Sequence, residues 1–466
     1  MLRVHDEWLE CLDLSTEFLE LASMVRELCG EHSVKRRERQ GHLRLLSSSV
    51  QKSKEDKKES VNKIWSQLMR RSYKIYDEGG KMTSKVYHVD FRIRKGSKRK
   101  NLLEKIDILF EEARLGGIFE KDDLVAVKTH FGTFGTTRQL RPVYIRRIVE
   151  NIKKRGGAPF ATETCGLGHR ERSFAHQLIK VAAYNGFTTE TIDAPIICAD
   201  GLLGIDSVEI PIDGLRMKKA HIASALAHAH SILSVAHFKA HPGAGLGGAL
   251  KNLGIGGATK LGKAMAHMND RFPRYSIERC TGCKMCIKWC PTGAITMVEG
   301  KAEFDWSKCV SCLCCPAICG RHNKDPAVNL PKERFLMGEG FFEGIVDNFT
   351  AVVKRVGKER MGYINFITEV TPHCDCPPYS DMPMVPEIGI VASLDPIAID
   401  KASADLVNDA VGIPNSVLGN KKNGEALKAG FDKIRYITGK DWTALLSLGE
   451  KVGLGSLQYE LVNLDV

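Results

Sequence analysis

Two short runs of cysteine carry the most specific chemistry in this chain. Cys280, Cys283, Cys286 and Cys290 follow a C-x2-C-x2-C-x3-C-P pattern closed by Pro291, and Cys309, Cys312, Cys315 and Cys319 repeat the 2-2-3 spacing. Three thiolates on one tight loop can hold three corners of a four-iron, four-sulfur cube, and the fourth, set off by one extra residue, reaches the other cube. The expected ligand sets are Cys280, Cys283, Cys286 and Cys319 for one 4Fe-4S cluster, and Cys309, Cys312, Cys315 and Cys290 for a second. Structural zinc is normally built from two separated C-x2-C pairs and needs no proline after a fourth cysteine. A disulfide framework belongs to small secreted chains, whereas this sequence opens on Asp6, Glu7 and Glu10 and reads as lacking an export signal. Cys314 falls off register and reads as a bystander thiol.

The segment around these cysteines, residues 272–330, resembles a bacterial-type two-cluster ferredoxin. It departs from that pattern in one respect: the second run has its proline at Pro316, after the third cysteine, and Cys319 is followed by Gly320. The ligand set is intact, and the exit from the second loop differs.

A second group of reactive residues lies at the ends of expected strands, where open α/β sheets bind their ligands. One strand ends in Lys128-Thr129-His130, another in Glu163-Thr164-Cys165, and a third in His237, continuing through Lys239 and His241. A later strand leads to His373-Cys374-Asp375-Cys376. These ends read either as one shared ligand pocket, with His130, His237 and His373 as candidate acid–base groups or ligands and Lys128 and Lys239 as anion anchors, or as unrelated polar caps and surface loops. Gly243, Gly245 and Gly248 match G-x-G-x-x-G after a strand, but no acidic strand end follows about twenty residues later, which argues against a dinucleotide. Two readings of these glycines stand: an anion cradle of backbone N–H groups helped by Lys239 or Lys251, or close backbone packing. The His373–Cys376 stretch likewise reads either as an additional metal site shared with His130, His237 or His241, or as free thiols on a proline-rich turn.

Strands and helices must alternate to bring those ends together. Strands are expected at 85–93, 124–130, 160–164, 207–212, 231–238, 363–368, 387–393 and 457–464. Helices are expected at 101–115, 139–155, 171–186, 218–229, 333–355, 423–434 and 441–452, with one more opened by Asp395-Pro396 as N-cap and first helical residue. The fold class is therefore α/β, Rossmann-like or doubly wound, interrupted by a small α+β iron–sulfur domain. The expected domains are 82–271 and 331–466 for the two parts of the α/β domain and 272–330 for the ferredoxin segment.

Length and composition set outer bounds. At 466 residues, with 43% hydrophobic and 26% charged residues, the chain suggests two or three globular domains. No apolar stretch is long enough to span a bilayer. The net charge of +11 comes from scattered basic residues rather than a basic stripe with a recognisable module, which argues against nucleic acid. A redox partner protein or a small anionic ligand suits that charge better, and unpaired thiols suit a reducing cytoplasm.

Residues 1–81 read differently. A helix through Trp8–Leu28 is followed by KRRERQ and SSSVQKSKEDKKESVNK, too polar to hold a fixed fold. Glu78-Gly79-Gly80-Lys81-Met82 can be encoded by a string containing GGAGG shortly before ATG, a ribosome-binding site ahead of a start codon. Translation of a bacterial protein is therefore expected to begin at Met82. Peptide mapping of protein from its native source should yield no peptides from residues 1–70; abundant ones would refute this start site.

From Met82 onward the chain resembles domain-of-unknown-function family 362 fused to a two-cluster ferredoxin. The resemblance rests on VKTHFG, RPVYIRRIVENIKKRGGAPFATET, ADGLLGIDSVEI, AHFKAHPGAGLGGALKNLGIGG, the two cysteine runs, YINFITEVTPHCDCPPYSDMPMVPEIGIVASLDPIAID and KASADLVN. It implies iron–sulfur binding, without an established activity. The HFKAHPGAGLGGALK stretch and the R-P-x-Y-I loop also look similar to motifs of the lactate racemase fold, which would make His130, His237 and Lys239 pocket residues. The function expected from these features is a redox protein whose ferredoxin unit exchanges electrons with a ligand in the α/β pocket. A non-enzymatic electron carrier or a protein handling metal or clusters is the alternative.

Overall fold

Segments such as Ser-Ile-Leu-Ser-Val-Ala-His are apolar or small at nearly every position, the signature of a strand covered on both faces. The structure, a computed structural model, describes residues 74–76, 82–93, 95, 99–167, 171–268, 272–330, 338–420, 424–464 and 466. The chain divides into Met1–Ser72 and Tyr73–Val466; the first unit lies outside the described residues, so the helix expected there and most of the expected extension do too.

β1 (Lys74–Tyr76) and β2 (Met82–Asp90) run antiparallel, so pairing begins inside the stretch expected to be an extension. Helix α1 (Leu102–Glu112) starts at a capping box: Asn101 accepts from the amides of Leu103 and Glu104, and Glu104 accepts from the Asn101 amide. β3 (Leu124–Lys128), α2 (Pro142–Lys154), β4 (Ala158–Glu163), α3 (Ala175–Tyr184) and β5 (Ile196–Cys198) form two successive β-α-β units with parallel strands. β6 (Ser207–Pro211) and β7 (Lys219–Ala223) make a separate hairpin, after which β8 (Ser231–His237) returns to the free side of β3. A small hairpin of β9 (Lys239–His241) and β10 (Gly245–Gly247) precedes α4 (Ala249–Gly254) and α5 (Lys260–His267).

The cysteine-rich segment follows as β11 (Arg274–Tyr275), α6 (Met285–Lys288), β12 (Ile295–Val298), β13 (Lys301–Phe304), α7 (Cys314–His322) and β14 (Val328–Asn329). β11 pairs with β14 and β12 with β13, so two strand–helix–strand halves close on each other. The chain then re-enters the large sheet through α8 (Glu339–Val356), β15 (Met361–Ile367), β16 (Gly389–Ser393), α9 (Pro396–Asp409), α10 (Trp442–Lys451) and β17 (Tyr459–Asn463). β15 lies parallel beside β8, so strands before and after the cysteine segment are neighbours in one sheet.

That nine-stranded sheet has the order β1-β2-β16-β15-β8-β3-β4-β5, with β17 parallel to β2. It is parallel from β15 to β5 and antiparallel where β16 joins β15 and β2, so the architecture is mixed α/β with a largely parallel centre. Alternate residues feed alternate faces. Val125 and Val127 join a core with Ile106, Ile145 and Leu178 from α1, α2 and α3, whereas Ala126 joins a core with Leu253, Phe349 and Ile397 from α4, α8 and α9. No helix among the described residues is long and apolar enough to cross a membrane.

Two expected helices differ. Residues 218–229, rich in alanine, instead form β7 and one helical turn at Ser224–Ala227, because pairing with β6 buries Ala220, Ile222 and Ala223. Within 423–434 the described chain forms a 3-10 turn at Glu425–Leu427, and a helix starts only at Lys433, where Asp432 caps the Arg435 amide. The Asp395-Pro396 start forms as expected, with Asp395 Oδ1 accepting from Ile397 and Ala398.

The glycine-rich stretch is shaped by packing. Gly245 has φ +79° and backs onto Trp442, and a Cβ on Gly248 would lie 2.2 Å from Asp400 Oδ1. Asp400 accepts from the amides of Ala249 (2.7 Å) and Leu250 (2.9 Å), so a carboxylate of the chain itself occupies the start of α4. Gly248→Ala is therefore expected to cost about 1–3 kcal/mol by overpacking. Gly247→Ala, with its nearest neighbour at 3.8 Å, should cost far less, and urea unfolding of the two variants checks the difference.

Candidate functional site

The chain builds outward from β3 to β5 and then returns to place β8 and β15 on the other side of β3. The carboxyl ends of β3 and β8 flank this reversal, the place where an open sheet leaves a crevice. Lys128, the last residue of β3, is buried, with Nζ 3.0 Å from Glu163 Oε1 at the end of β4 and 2.9 Å from Asn252 Oδ1 of α4. Asn252 Nδ2 donates back to the Lys128 carbonyl and to Ser234 Oγ on β8, tying the three strand ends to one helix. Burial pushes the Lys128 ammonium down, partly offset by Glu163. Burial alone would raise the Glu163 carboxyl, but Lys128, His130 and Lys263 bring it below its ordinary range.

His130 continues the network. Its Nδ1 is 3.3 Å from Glu163 Oε2, and its Nε2 is 3.4 Å from Cys376 Sγ on the loop after β15. That loop also delivers Asp375, whose Oδ2 lies 3.0 Å from His237 Nδ1 and accepts a short hydrogen bond from Lys239 Nζ. His237 Nε2 is 2.8 Å from the Thr368 carbonyl, so both ring nitrogens face acceptors. Asp375 is buried, which would raise its carboxyl, yet Lys239 and then His237 hold it well below the usual carboxylate range. The Cys376 thiol is held low by its hydrogen bond with Cys374, then by Arg172 and His130, while Cys374 is pushed up by the same contact and by burial. The arrangement offers a thiolate-prone sulfur beside an imidazole, and next to it a carboxylate clamped by one cation.

Lys128 and His130 thus share one buried polar cluster with Glu163, His237 and Lys239 share the next with Asp375, and the Asp375-Cys376 loop joins the two. His241 stands to the side: its Nδ1 accepts from the amides of Gly243 (3.1 Å) and Ala244 (3.0 Å), and burial, then Lys251, keeps the ring well below its usual pKa. The charge of Lys251 also acts on Cys374 and Lys128. His373 turns elsewhere, its ring edge-on to Tyr379 with centroids 5.9 Å apart. Sequence reasoning named the strand end at Glu163 but gave that residue no role, and it passed over Asn252 and Lys263 as site residues. The signal for Glu163 was its place at the end of a strand, but Lys263 was hidden among the alanines and glycines of a short helix.

The cysteine segment contains two cavities. One is lined by Cys280, Cys283, Cys286 and Cys319; the other by Cys309, Cys312, Cys315 and Cys290. Corresponding positions of the two runs are left-handed: Gly282 (φ +68°) and Lys284 (φ +62°) in the first, Ser311 (φ +52°) and Leu313 (φ +55°) in the second. Turns of this kind aim successive backbone N–H groups into a concavity suited to an anion. Cys280 Sγ accepts from the Ala302 amide (3.4 Å) and Cys290 Sγ from the Ala294 amide (3.3 Å). Cys314 lines neither cavity and faces the α/β part, with Sγ 3.8 Å from Lys260 Nζ and 3.9 Å from the Leu203 carbonyl oxygen.

Asp375→Asn would leave Lys239 buried without its carboxylate and is expected to cost about 3–5 kcal/mol at pH 7. Because the folded-state carboxyl lies below its ordinary value, this contribution is full above about pH 4. It is lost as the pH falls through the folded value. Urea unfolding of both proteins should show the gap closing only on the acid side of pH 4.

Comparison with known proteins adds a family and partial relatives. Over 40 residues the chain is 55% identical to a subunit of the ion-translocating oxidoreductase complex of Methanosarcina acetivorans, covering 9% of this chain and 15% of that protein. Over 65 residues it is 31% identical to an uncharacterized ferredoxin of Methanocaldococcus jannaschii, covering 14% of this chain and 42% of that one. The chain therefore spans less than half the length of either relative. The lactate racemase apoprotein of Thermoanaerobacterium thermosaccharolyticum aligns with 56% of this chain and 48% of its own, at 13% identity and a TM-score of 0.31, too low to carry an argument. A family described as "Domain of unknown function (DUF362)" matches residues 125–405, more than half of the sequence, and the chain belongs to that family.

Proposed function

We propose that this protein is an iron–sulfur redox protein in which two 4Fe-4S clusters, one in each cysteine-lined cavity, exchange single electrons with a ligand in the strand-end crevice. The observation that carries this reading is the crossed wall of each cavity: three cysteines come from one run and the fourth from the other. A single tetrahedral zinc would draw its thiolates to within about 3.8 Å of one another. Among the described residues, however, no three cysteines of either cavity bring their sulfurs within 4.8 Å of one another, a spacing that favours a larger inorganic core. The matches to a ferredoxin and to a component of an oxidoreductase complex support the same chemistry.

Each cluster would supply one electron at a potential within roughly −700 to +450 mV, tuned by burial and hydrogen bonds to sulfur. Ala302 and Ala294 provide such bonds to Cys280 and Cys290. Cys283 is exposed, which suits electron entry from a redox partner protein at the first cavity; Cys312 and Cys315 are buried. Leu313 packs against Ala264 of α5, and Cys312 shares a cluster of buried side chains with Phe174, which places the second cavity toward the α/β part. At the strand ends Lys128 and Lys239 are already neutralised by Glu163 and Asp375, so Lys251, whose charge reaches Cys374 and Lys128, would attract a small anionic ligand, His130 would move or hold protons, and Cys376 would act as a soft donor. The thiols and clusters suit a reducing compartment such as the cytoplasm.

Anaerobic purification followed by iron and sulfide analysis tests the proposal. About eight iron and eight sulfide per chain are expected. Cys319→Ala should remove the cluster of Cys280, Cys283 and Cys286 and spare the other, and Cys290→Ala the reverse; electron paramagnetic resonance of the reduced protein distinguishes the two. A colourless protein containing zinc and no acid-labile sulfide would refute the reading.

A further inference from the structure

Cys165 and Cys198 lie outside both cysteine runs and outside the network around Asp375. Cys165 follows β4 and Cys198 ends β5, two parallel neighbours in which Glu163 and Cys198 are in register. Their sulfurs are 3.6 Å apart, far beyond a bonded S–S distance of about 2.05 Å. Asp200, two residues on, points back at the pair: Oδ1 is 3.4 Å from Cys198 Sγ, and both carboxylate oxygens accept from the Cys165 amide, at 2.9 and 3.1 Å. Among the described residues, these three form the one group of His, Cys, Asp or Glu whose ligand atoms all lie within 4.8 Å of one another.

We propose that Cys165, Cys198 and Asp200 hold a thiophilic divalent cation, zinc by its chemistry, with a fourth position open to a ligand. Zinc–sulfur bonds of about 2.3 Å at a tetrahedral angle place two thiolates about 3.8 Å apart, and a thiolate and a carboxylate oxygen about 3.5 Å apart. The observed 3.6 and 3.4 Å match those edges before any metal binds. The Cys165 amide orients the carboxylate, as an outer hydrogen bond does for a metal ligand. Two thiolates and a carboxylate carry one more negative charge than zinc neutralises. Lys263 supplies the balance: it is buried, its Nζ is 2.5 Å from the Cys165 carbonyl oxygen, and its charge acts on both Asp200 and Cys165. Cys165 and Asp200 are fully buried whereas Cys198 is only partly so, which leaves the cation an approach from the Cys198 side.

The position gives such a site a role. Glu163 of the crevice lies two residues before Cys165. On the far side, a Cβ on Gly204 would touch both Cys165 and Lys260, and Lys260 faces Cys314. A cation here would sit between the strand-end network and the docked cysteine segment. The inference stands on Cys165, Cys198 and Asp200 alone and does not need iron in the cavities.

The test is metal binding by anaerobically purified full-length protein, using zinc chloride against a chelator of known affinity, with iron and sulfide measured on the same samples. Wild type should retain one zinc beyond its other metals. The Cys165→Ser/Cys198→Ser variant should lose that equivalent with iron and sulfide unchanged. Asp200→Asn should weaken binding by at least the roughly tenfold that an outer partner costs. Zinc should also slow alkylation of Cys198 in the wild type, a readout that needs no variant to fold. Equal zinc in wild type and double variant, full affinity in Asp200→Asn, or ready closure of a Cys165–Cys198 disulfide in zinc-treated protein would overturn the site. Failure of the cluster reading would look different: sulfide-free protein that still loses one zinc in the double variant.

Discussion

The buried ion pair of Lys128 and Glu163 is the constraint around which the strand-end network is organised. It joins the carboxyl ends of two parallel strands at the point where the strand order reverses, with both side chains nearly sealed from water. Desolvating two charges is expensive, and the structure offsets it by giving each several partners: Asn252 for the lysine, and His130 and the Thr164 amide for the glutamate. Asn252 then reaches β8 through Ser234, so the polar network also fixes α4 against the strand ends. A pair replaced by hydrophobic residues could pack as well, but it could not aim His130 at Cys376.

The loop after β15 repeats this logic one strand over. Asp375 neutralises Lys239 and orients His237, and its neighbour Cys376 is thereby delivered to His130. One short loop therefore completes two polar clusters built by β3, β4 and β8. The cysteine segment docks beside them through Phe174, whose ring centroid lies 4.5 Å from that of Trp289 with the planes tilted by 39°, and through Cys314 against Lys260 and Leu203. A thiol that looked incidental in the cysteine run is part of that contact.

Cysteine spacing, the alternation of strand and helix, and the Asp395-Pro396 start could all be read along the chain, because each depends on residues within about one helical turn or one strand of each other. The strand-end histidines and lysines were also legible, since parallel sheets place their loops at that edge. Position along the sequence could not say which of them would meet. His373 sits within three residues of Asp375 and Cys376 yet faces Tyr379 instead, because the proline-rich turn carries its ring away.

The roles of Gly248 and of the Cys165, Cys198 and Asp200 group emerged only once the chain was folded. Gly248 matches a nucleotide fingerprint by type and spacing, but Asp400, contributed from 152 residues further along, fills the space a side chain would need and takes up the helix amides. Cys165 and Cys198 are 33 residues apart and become neighbours because one β-α-β unit places β4 and β5 side by side in register. Local spacing reports what a segment is able to do; strand register and crossover geometry choose its partners, and these are set by packing that no short stretch of sequence contains.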